Sequence, residues 1–262
     1  MKQFLPGLTN MDLSIIIVNF NTKELTLNCI KSIKNSKPKM GYEIIVVDNA
    51  SEENLPKSKN YILIRNKANL GFAKANNIGI KNAKGKYILL LNSDTIIKDS
   101  AIDKLYEFAK KHNDAGAVVP QLLNKDGSVQ ASCFRFPTIK NALRHYFLGE
   151  NKLLDKYIPS TQTVDVAVMA AFLVTPISLK KIGELDERYF MYFEDFDYCR
   201  KIKKQGLKIY YLKESQIVHI HGASGGKNKY LVKSAKIYHG IVEYCIYTFI
   251  LWLGQKIQAI AV

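Results

Sequence analysis

The chain has 262 residues, 47% apolar and 23% charged, with 7 prolines and no low-complexity tract, which excludes a disordered or collagen-like polypeptide and allows one large domain with a sizeable core. The 38 Lys and Arg outnumber the 23 Asp and Glu, giving +15, a charge that favours phosphates, nucleic acid or an acidic membrane surface. The lysines are scattered between Lys23 and Lys256 with no basic block, so a solvated Lys-rich surface is the competing reading. The 4 cysteines (Cys29, Cys133, Cys199, Cys245) lack CxxC spacing, which argues against a zinc site or disulfide framework and for a reducing, cytoplasmic setting. The opening MKQFLPGLTN has no apolar core of the kind a signal peptide needs, and the apolar run 244–254 is about half of the roughly 20 residues that span a bilayer.

Residues 13–18 (LSIIIV) form a short β-branched apolar run, the pattern of a strand buried on both faces. Asn21-Thr-Lys-Glu24 has capping-box spacing and predicts a helix with Leu25, Cys29, Ile30 and Ile33 inside. Strands are predicted at 43–47, 61–64 and 87–91, and helices at 72–81 and 100–111, an alternation that gives a βαβ array on a largely parallel sheet. Beyond residue 115 the pattern changes. A strand at 116–120 is followed by a turn at Asn124-Lys-Asp-Gly127 joining two extended pieces, and 133–159 reads as irregular, aromatic and basic. Residues 164–174 read as one apolar strand, 195–205 as a helix stopped by Gly206, 207–212 as a last strand, and 230–262 as helical.

Ligands of an open parallel sheet bind at the carboxyl ends of its strands. Here those ends are polar: Asn19-Phe20-Asn21, Asp48-Asn49-Ala50-Ser51, Asn69-Leu70-Gly71-Phe72 and Asn92-Ser93-Asp94. One such end is an ordinary cap or turn, but four together point to a binding crevice. No GxGxxG is present, and Gly226-Lys227 is followed by Asn228 with His221 where a P-loop begins, which weakens a nicotinamide dehydrogenase or a P-loop NTPase.

These ends, together with Asn69-Leu70-Gly71-Phe72-Ala73-Lys74-Ala75-Asn76-Asn77-Ile78-Gly79, Phe193-Glu194-Asp195-Phe196-Asp197 and Val218-His219, resemble family 2 glycosyltransferases, and within them the rhamnosyltransferase-like subset. The resemblance covers about residues 13–224. It implies a GT-A fold, a Rossmann-like α/β domain with a mixed, mostly parallel sheet flanked by helices, over 11–226, with a C-terminal helical extension at 227–262. It also implies a nucleotide-sugar donor, Mg2+ or Mn2+, and inversion at the anomeric carbon. Asp48 then accepts from a pyrimidine N–H, Asn19 and Asn21 bracket the ribose, and Ser51 belongs to the same pocket. Gly71 permits close approach of backbone to ligand, or marks only a turn. Asn76 and Asn77 donate towards diphosphate or sugar.

In the same resemblance Asp94 is the metal carboxylate, with Asn92 and Ser93 as neutral neighbours in place of a two-aspartate DxD, and His219 is the second metal ligand. His221 has no assigned role. Asp195 matches the base that takes the acceptor's proton, and its place at the start of a helix favours its ionised form. Glu194 orients the acceptor or Asp195, Asp197 stands as a first-turn residue, and the aromatic run 189–193 walls the acceptor site. Core packing followed by an N-cap is the competing reading of that run. Family members commonly carry Gly-Ala where this chain has Met169-Ala170, and a basic pair where it has Thr175-Pro176, so a pocket narrowed by Met169 leaves the sugar open.

In the tail, Tyr238, Ile241, Val242, Cys245, Ile246, Phe249, Trp252 and Leu253 recur at helical spacing, flanked by Lys233, Lys236 and Lys256. Packing on the domain, a homodimer, or peripheral contact with an anionic membrane beside a lipid-linked acceptor are the outcomes this leaves open. A sugar-phosphate nucleotidyltransferase would need a Gly-rich basic loop where this chain has Asn19-Phe20-Asn21-Thr22, and a nucleic-acid-binding protein rests on charge alone. The expected function is transfer of a sugar from a dTDP- or UDP-sugar, dTDP-rhamnose first, to a glycan or lipid-linked acceptor in cell-surface polysaccharide synthesis, with no specific nucleic-acid partner.

Overall fold

The first predicted strand folds as β1 (Leu13–Asn19), and the alternation of its side chains sets the layering: Leu13, Ile15 and Ile17 enter one apolar layer and Ile16 the opposite one. The computed structural model describes residues 11–148, 150, 155–160, 162–220 and 228–260. Helix α1 (Lys23–Ser36) covers the first layer with Thr26, Cys29, Ile30 and Ile33. The predicted capping box does not form. Asn21 adopts φ 55°, and Thr22, the N-cap, donates its hydroxyl to Asn19 Oδ1 at 3.1 Å instead of capping the helix.

Strands β2 (Tyr42–Asp48) and β3 (Ile62–Arg65) extend the sheet to one side of β1. Helix α2 (Phe72–Asn82) returns over the second layer, and β4 (Tyr87–Asn92) pairs on the other side of β1. Helix and strand approach closely because Gly79 has no Cβ, which would overlap Ile16. All four strands are parallel and their order reverses at β1, so a crevice opens beyond the carboxyl ends where Val18 of β1 lies beside Asn92 of β4.

Next come β5 (Thr95–Ile97), α3 (Ala101–Lys111), β6 (Ala115–Leu123) and β7 (Cys133–Phe134). Part of the stretch expected to be irregular is helix α4 (Ile139–Phe147), started by Thr138, whose side chain accepts from Asn141 N at 3.2 Å. The strand expected over 164–174 is three pieces: β8 (Thr163–Val164), β9 (Val166–Ala167) and β10 (Ala171–Val174). The break has a cause in backbone pairing. Val168 N donates to Ser132 O at 3.0 Å, while Ala170 O accepts from Asn92 N at 2.8 Å, so neighbouring residues serve different partners.

The chain continues through α5 (Pro176–Lys181), α6 (Glu194–Lys204) and β11 (Lys208–His219), a strand longer than the expected 207–212. The main sheet has the order β3-β2-β1-β4-β10-β6-β11-β5, with β8 on β11, and β7 pairs with β9 separately. β10 runs antiparallel to β4 and β6, and β5 antiparallel to β11. The helical tail is α7 (Asn228–His239) and α8 (Ile241–Ile260), broken at Gly240 (φ 75°) and bent by 117°. Both arms pack on the body. Ser234 Oγ donates to Met191 O at 2.8 Å, Arg200 Nη1 donates to Tyr238 O at 3.1 Å, and Gly254 lies where a Cβ would overlap Tyr146 of α4. The boundary expected at 226/227 and His221 lie outside the described residues.

Candidate active site

The crevice at the strand ends is a cleft of about 470 Å³, a size suited to a small molecule. Of the predicted site residues it brings together Gly71, Asn92, Ser93, Asp94, Glu194, Asp195 and His219. Met169 and Ala170 line it at the break between β9 and β10, and Met191, Tyr192 and Phe193 of the aromatic run form a wall, while Tyr189 at the start of the run is buried in the core.

Asp94 lies in the tight connection between β4 and β5. β5 pairs with the end of β11 so that Thr95 faces His219, and Ile220 N donates to Asp94 O at 2.9 Å. This register sets Asp94 Oδ1 3.5 Å from His219 Nε2. Gln130, which sequence reasoning missed, holds the ring from behind. Its Nε2 donates to Asn124 Oδ1 at 2.9 Å and to His219 O at 3.2 Å, which turns its Oε1 to His219 Nδ1 at 2.8 Å. An amide oxygen only accepts, so Nδ1 carries a hydrogen, and Nε2 is the ring nitrogen that faces Asp94. One carboxylate oxygen and one imidazole nitrogen facing each other suit a divalent cation. Among the described residues no group of three or more His, Cys, Asp or Glu forms such a site, so a cation held here would take further ligands from phosphate or water.

On the cleft's other wall, Tyr192 (φ 71°) and Phe193 (φ 65°) are consecutive left-handed residues, each costing on the order of 1–2 kcal/mol. The turn they make starts α6 with Glu194 and Asp195 lining the cleft. Aromatic packing holds it: the Phe193 ring lies 5.2 Å from those of Phe196 and Tyr238, and Phe190 stacks on Tyr230 at 4.6 Å. Asp195 Oδ1 accepts from Phe196 N at 2.8 Å, while Glu194 Oε2 is buried with no hydrogen-bond partner. Burial pushes both carboxyls above the usual range, and the neighbouring Asp195 charge pushes Glu194 further. At Asp195 the Phe196 N–H and the Lys156 ammonium pull back. Burial thus raises the pair as a whole, while the hydrogen-bond donor and the ammonium that favour a charge lie at Asp195. Lys156 also lies on the cleft, its Nζ 5.6 Å over the Phe134 ring, in the basic, aromatic stretch that sequence reasoning left without a role. Asp197 points elsewhere, pairing with Arg200 at 3.1 Å and Lys201 at 2.7 Å, as a first-turn residue.

The other expected donor contacts are engaged within the protein in this structure. Asn77 is buried under α2, donating to Leu185 O at 2.8 Å and accepting from Leu185 N at 3.0 Å, and Asn76 donates to Phe72 O at 3.0 Å, so neither lines the cleft. Asn19, Asp48 and Ser51 form a sealed knot beneath it: Asn19 Nδ2 donates to Asp48 at 2.9 Å and to Ser51 at 2.8 Å, and its Oδ1 accepts from Thr22 and Thr26. Asn21 clamps two loops, accepting from Glu52 N at 2.9 Å. Asp48 keeps one exception, a buried Oδ2 without a hydrogen-bond donor, 3.4 Å from Arg65 Nε. Gly71 lines the cleft, but its close approach is to Phe190, whose carbonyl a Cβ would overlap and which accepts from Phe72 N at 2.7 Å. Asn49, also missed, organises that loop by accepting from Leu70 N at 3.0 Å and donating to Asn69 at 2.8 Å.

The fold is that of the GT-A glycosyltransferases. GalNAc-T7, solved with UDP, GalNAc and Mn2+, superposes on 87% of this chain with TM-score 0.66 and 18% identity, the shared part being 47% of that chain. S. aureus TarS 1–349 in complex with UDP covers 87% with TM-score 0.60 and 17% identity, over 64% of its own chain. The sequence pattern of "Glycosyl transferase family 2" matches residues 14–177, and the chain belongs to that family. It is 28% identical over 206 residues to the low-salt glycan biosynthesis hexosyltransferase Agl10 of Haloferax volcanii, covering 76% of this chain and 64% of the relative. It is 27% identical over 210 residues to the N-acetylglucosaminyl-diphospho-decaprenol L-rhamnosyltransferase of Mycobacterium tuberculosis, covering 71% and 68%. The alignments thus span about two-thirds of these relatives.

Proposed function

We propose that the protein, acting in the cytoplasm, transfers a sugar from a pyrimidine nucleoside diphosphate to a hydroxyl of a glycan or lipid-linked acceptor, with inversion at the anomeric carbon. The observation that carries this reading is one cleft lined both by Asp195, at the strained start of α6, and by the Asp94–His219 pair. Asp195 takes the acceptor's proton as the acceptor oxygen bonds to the anomeric carbon. The bond from that carbon to the phosphate oxygen breaks in the same step, and the nucleoside diphosphate leaves with the electron pair. Attack on the face opposite the leaving group inverts the centre. Glu194, protonated, offers a hydrogen-bond donor beside the base. Asp94 and His219 would hold Mg2+ or Mn2+, which supplies positive charge for a departing diphosphate. Asp48 Oδ2, buried without a hydrogen bond beside Arg65 at 3.4 Å, keeps a lone pair that suits a base N–H.

The mycobacterial relative's name specifies a diphospho-decaprenol acceptor and an L-rhamnosyl group, which supports a lipid-linked acceptor and dTDP-rhamnose as the first substrates to try. The test is transfer from dTDP-rhamnose and UDP-sugars, with Mn2+, to polyprenyl-diphosphate-linked sugars, with the product's anomeric configuration read by NMR. Asp195→Asn is expected to lower kcat by about 10²–10⁴-fold while donor binding persists. A variant at the parental rate removes Asp195 as the base, and a product retaining the donor's configuration removes inversion.

A further inference from the structure

Helix α8 has one face against the protein and one in solvent. Ile250 and Gly254 face inward, whereas Val242, Ile246, Phe249, Trp252 and Ile257 are exposed, from 45% at Ile257 to 74% at Val242. Their spacing makes one stripe along the helix, a contiguous exposed apolar surface of the kind that marks an interaction site. Charge distinguishes what covers it. Lys140 on α4, Lys233 and Lys236 on α7, and Lys256 within the stripe are exposed, and the acid of these helices, Glu243, is engaged by His239 Nδ1 at 3.0 Å. A twofold contact with a second copy would bring these lysines towards their own images, whereas an anionic bilayer complements them.

Trp252 stacks with Phe249 at 6.0 Å on the exposed side, and an indole of this kind settles at headgroup level. Among the described residues no single helix is long and apolar enough to cross a membrane, and α7 and α8 are so only together. With that pair bent by 117° and Ile250 and Gly254 of α8 turned to the protein, α8 would lie in the interface. The other arm of the 117° bend carries Leu231, exposed and lining the cleft, which ties the stripe to the mouth of the site.

We infer that the outer face of α8 docks the protein on an anionic lipid bilayer and opens the cleft beside lipid-borne acceptors. The second half rests on the transfer reading above; the docking itself is measured with neither donor nor acceptor, so the two fail separately. Trp252 is the only tryptophan in the chain and reports the contact directly. Sucrose-loaded vesicles of phosphatidylcholine with about one-third phosphatidylglycerol should sediment the protein and shift Trp252 emission to the blue, about ten-fold more tightly than pure phosphatidylcholine and less so as salt rises. Phe249→Asp should weaken binding by about ten-fold or more, and Lys256→Glu by about five-fold, at unchanged melting temperature. Equal binding to both vesicle types, or parental binding by Phe249→Asp and Lys256→Glu, overturns the inference. So does a dimer in ultracentrifugation that Phe249→Asp dissociates, which would assign the stripe to a second copy.

Discussion

Gln130→Ala separates a residue that orients His219 from one that merely fills space. Gln130 makes three hydrogen bonds, to Asn124, to the His219 carbonyl and to His219 Nδ1, and each is worth about 0.5–1.5 kcal/mol net, so a stability loss of about 2–4 kcal/mol is expected in urea unfolding. The effect on the metal is distinct. With Oε1 gone, nothing in the ring's described contacts from Gln130 fixes the hydrogen on Nδ1, and loss of such a partner weakens metal binding by about 10–100-fold, or about 1.4–2.7 kcal/mol. Mn2+ affinity in the presence of UDP, read by electron paramagnetic resonance on folded protein, gives the number without turnover. Gln130→Glu supplies the control: its carboxylate still accepts from Nδ1 but cannot donate to Asn124 or the His219 carbonyl, so stability falls while Mn2+ affinity holds. Parental Mn2+ affinity in Gln130→Ala, or equal loss in both variants, would refute the orienting role.

Three further outcomes follow from the same wall and floor. Asp195, pushed up to about 6 by burial with Lys156 pulling it down, must be ionised to act, so kcat should fall as pH drops through that value, and Lys156→Ala should move the acid limb to higher pH; an unmoved limb would show that the ammonium does not act on the base. Glu194 has a folded pKa raised to about 8 by burial and the Asp195 charge, so the native state binds more protons than the unfolded one between about 4.5 and 8 and loses stability as pH rises. Glu194→Gln should therefore melt higher than the parent at about pH 8–9, with the gap closing towards about pH 4–5; a gap that does not depend on pH would contradict the shift. Gly71→Ala puts a Cβ into the Phe190 carbonyl at φ 82°, and should cost about 3 kcal/mol or more in urea unfolding, with parental stability ruling out the close approach.

The strands β1, β2 and β4 and the helices α2 and α6 are legible because their apolar periodicity and their burial have one cause, two layers closing on a parallel sheet. Strand-end polarity points to Asp94, whereas His219, Glu194 and Asp195 are singled out by the resemblance to family 2 glycosyltransferases; the structure lines one cleft with all four. Sequence reasoning fails where a role depends on partners far along the chain. Asn77 reads as a ligand-facing amide, yet its partner is Leu185, 108 residues on, and no local pattern announces that pairing. Gln130 reaches His219 because its N–H pairs with Leu122 O at 2.8 Å on β6, whose end lies beside Ile217 and Val218 of β11, a meeting of residues 89 apart in the chain that no local period announces. Met169 and Ala170 look like strand interior because the residues are apolar, but the backbone there is divided between Ser132 and Asn92.

The helical tail, separable in sequence, is part of the cleft wall. Two left-handed residues before Glu194 persist only if their surroundings over-determine them. Much of that surrounding comes from α7: Ser234 holds the Met191 carbonyl, Tyr238 packs on Phe193, and the Arg200 guanidinium lies 3.9 Å over the Tyr238 ring while donating to its carbonyl. Arg200 is in turn paired with Asp197, one turn into the helix that Glu194 and Asp195 begin. The strained turn, Asp195 and the tail are thus joined by continuous packing, with α8, held against α4 at Gly254, on its outside.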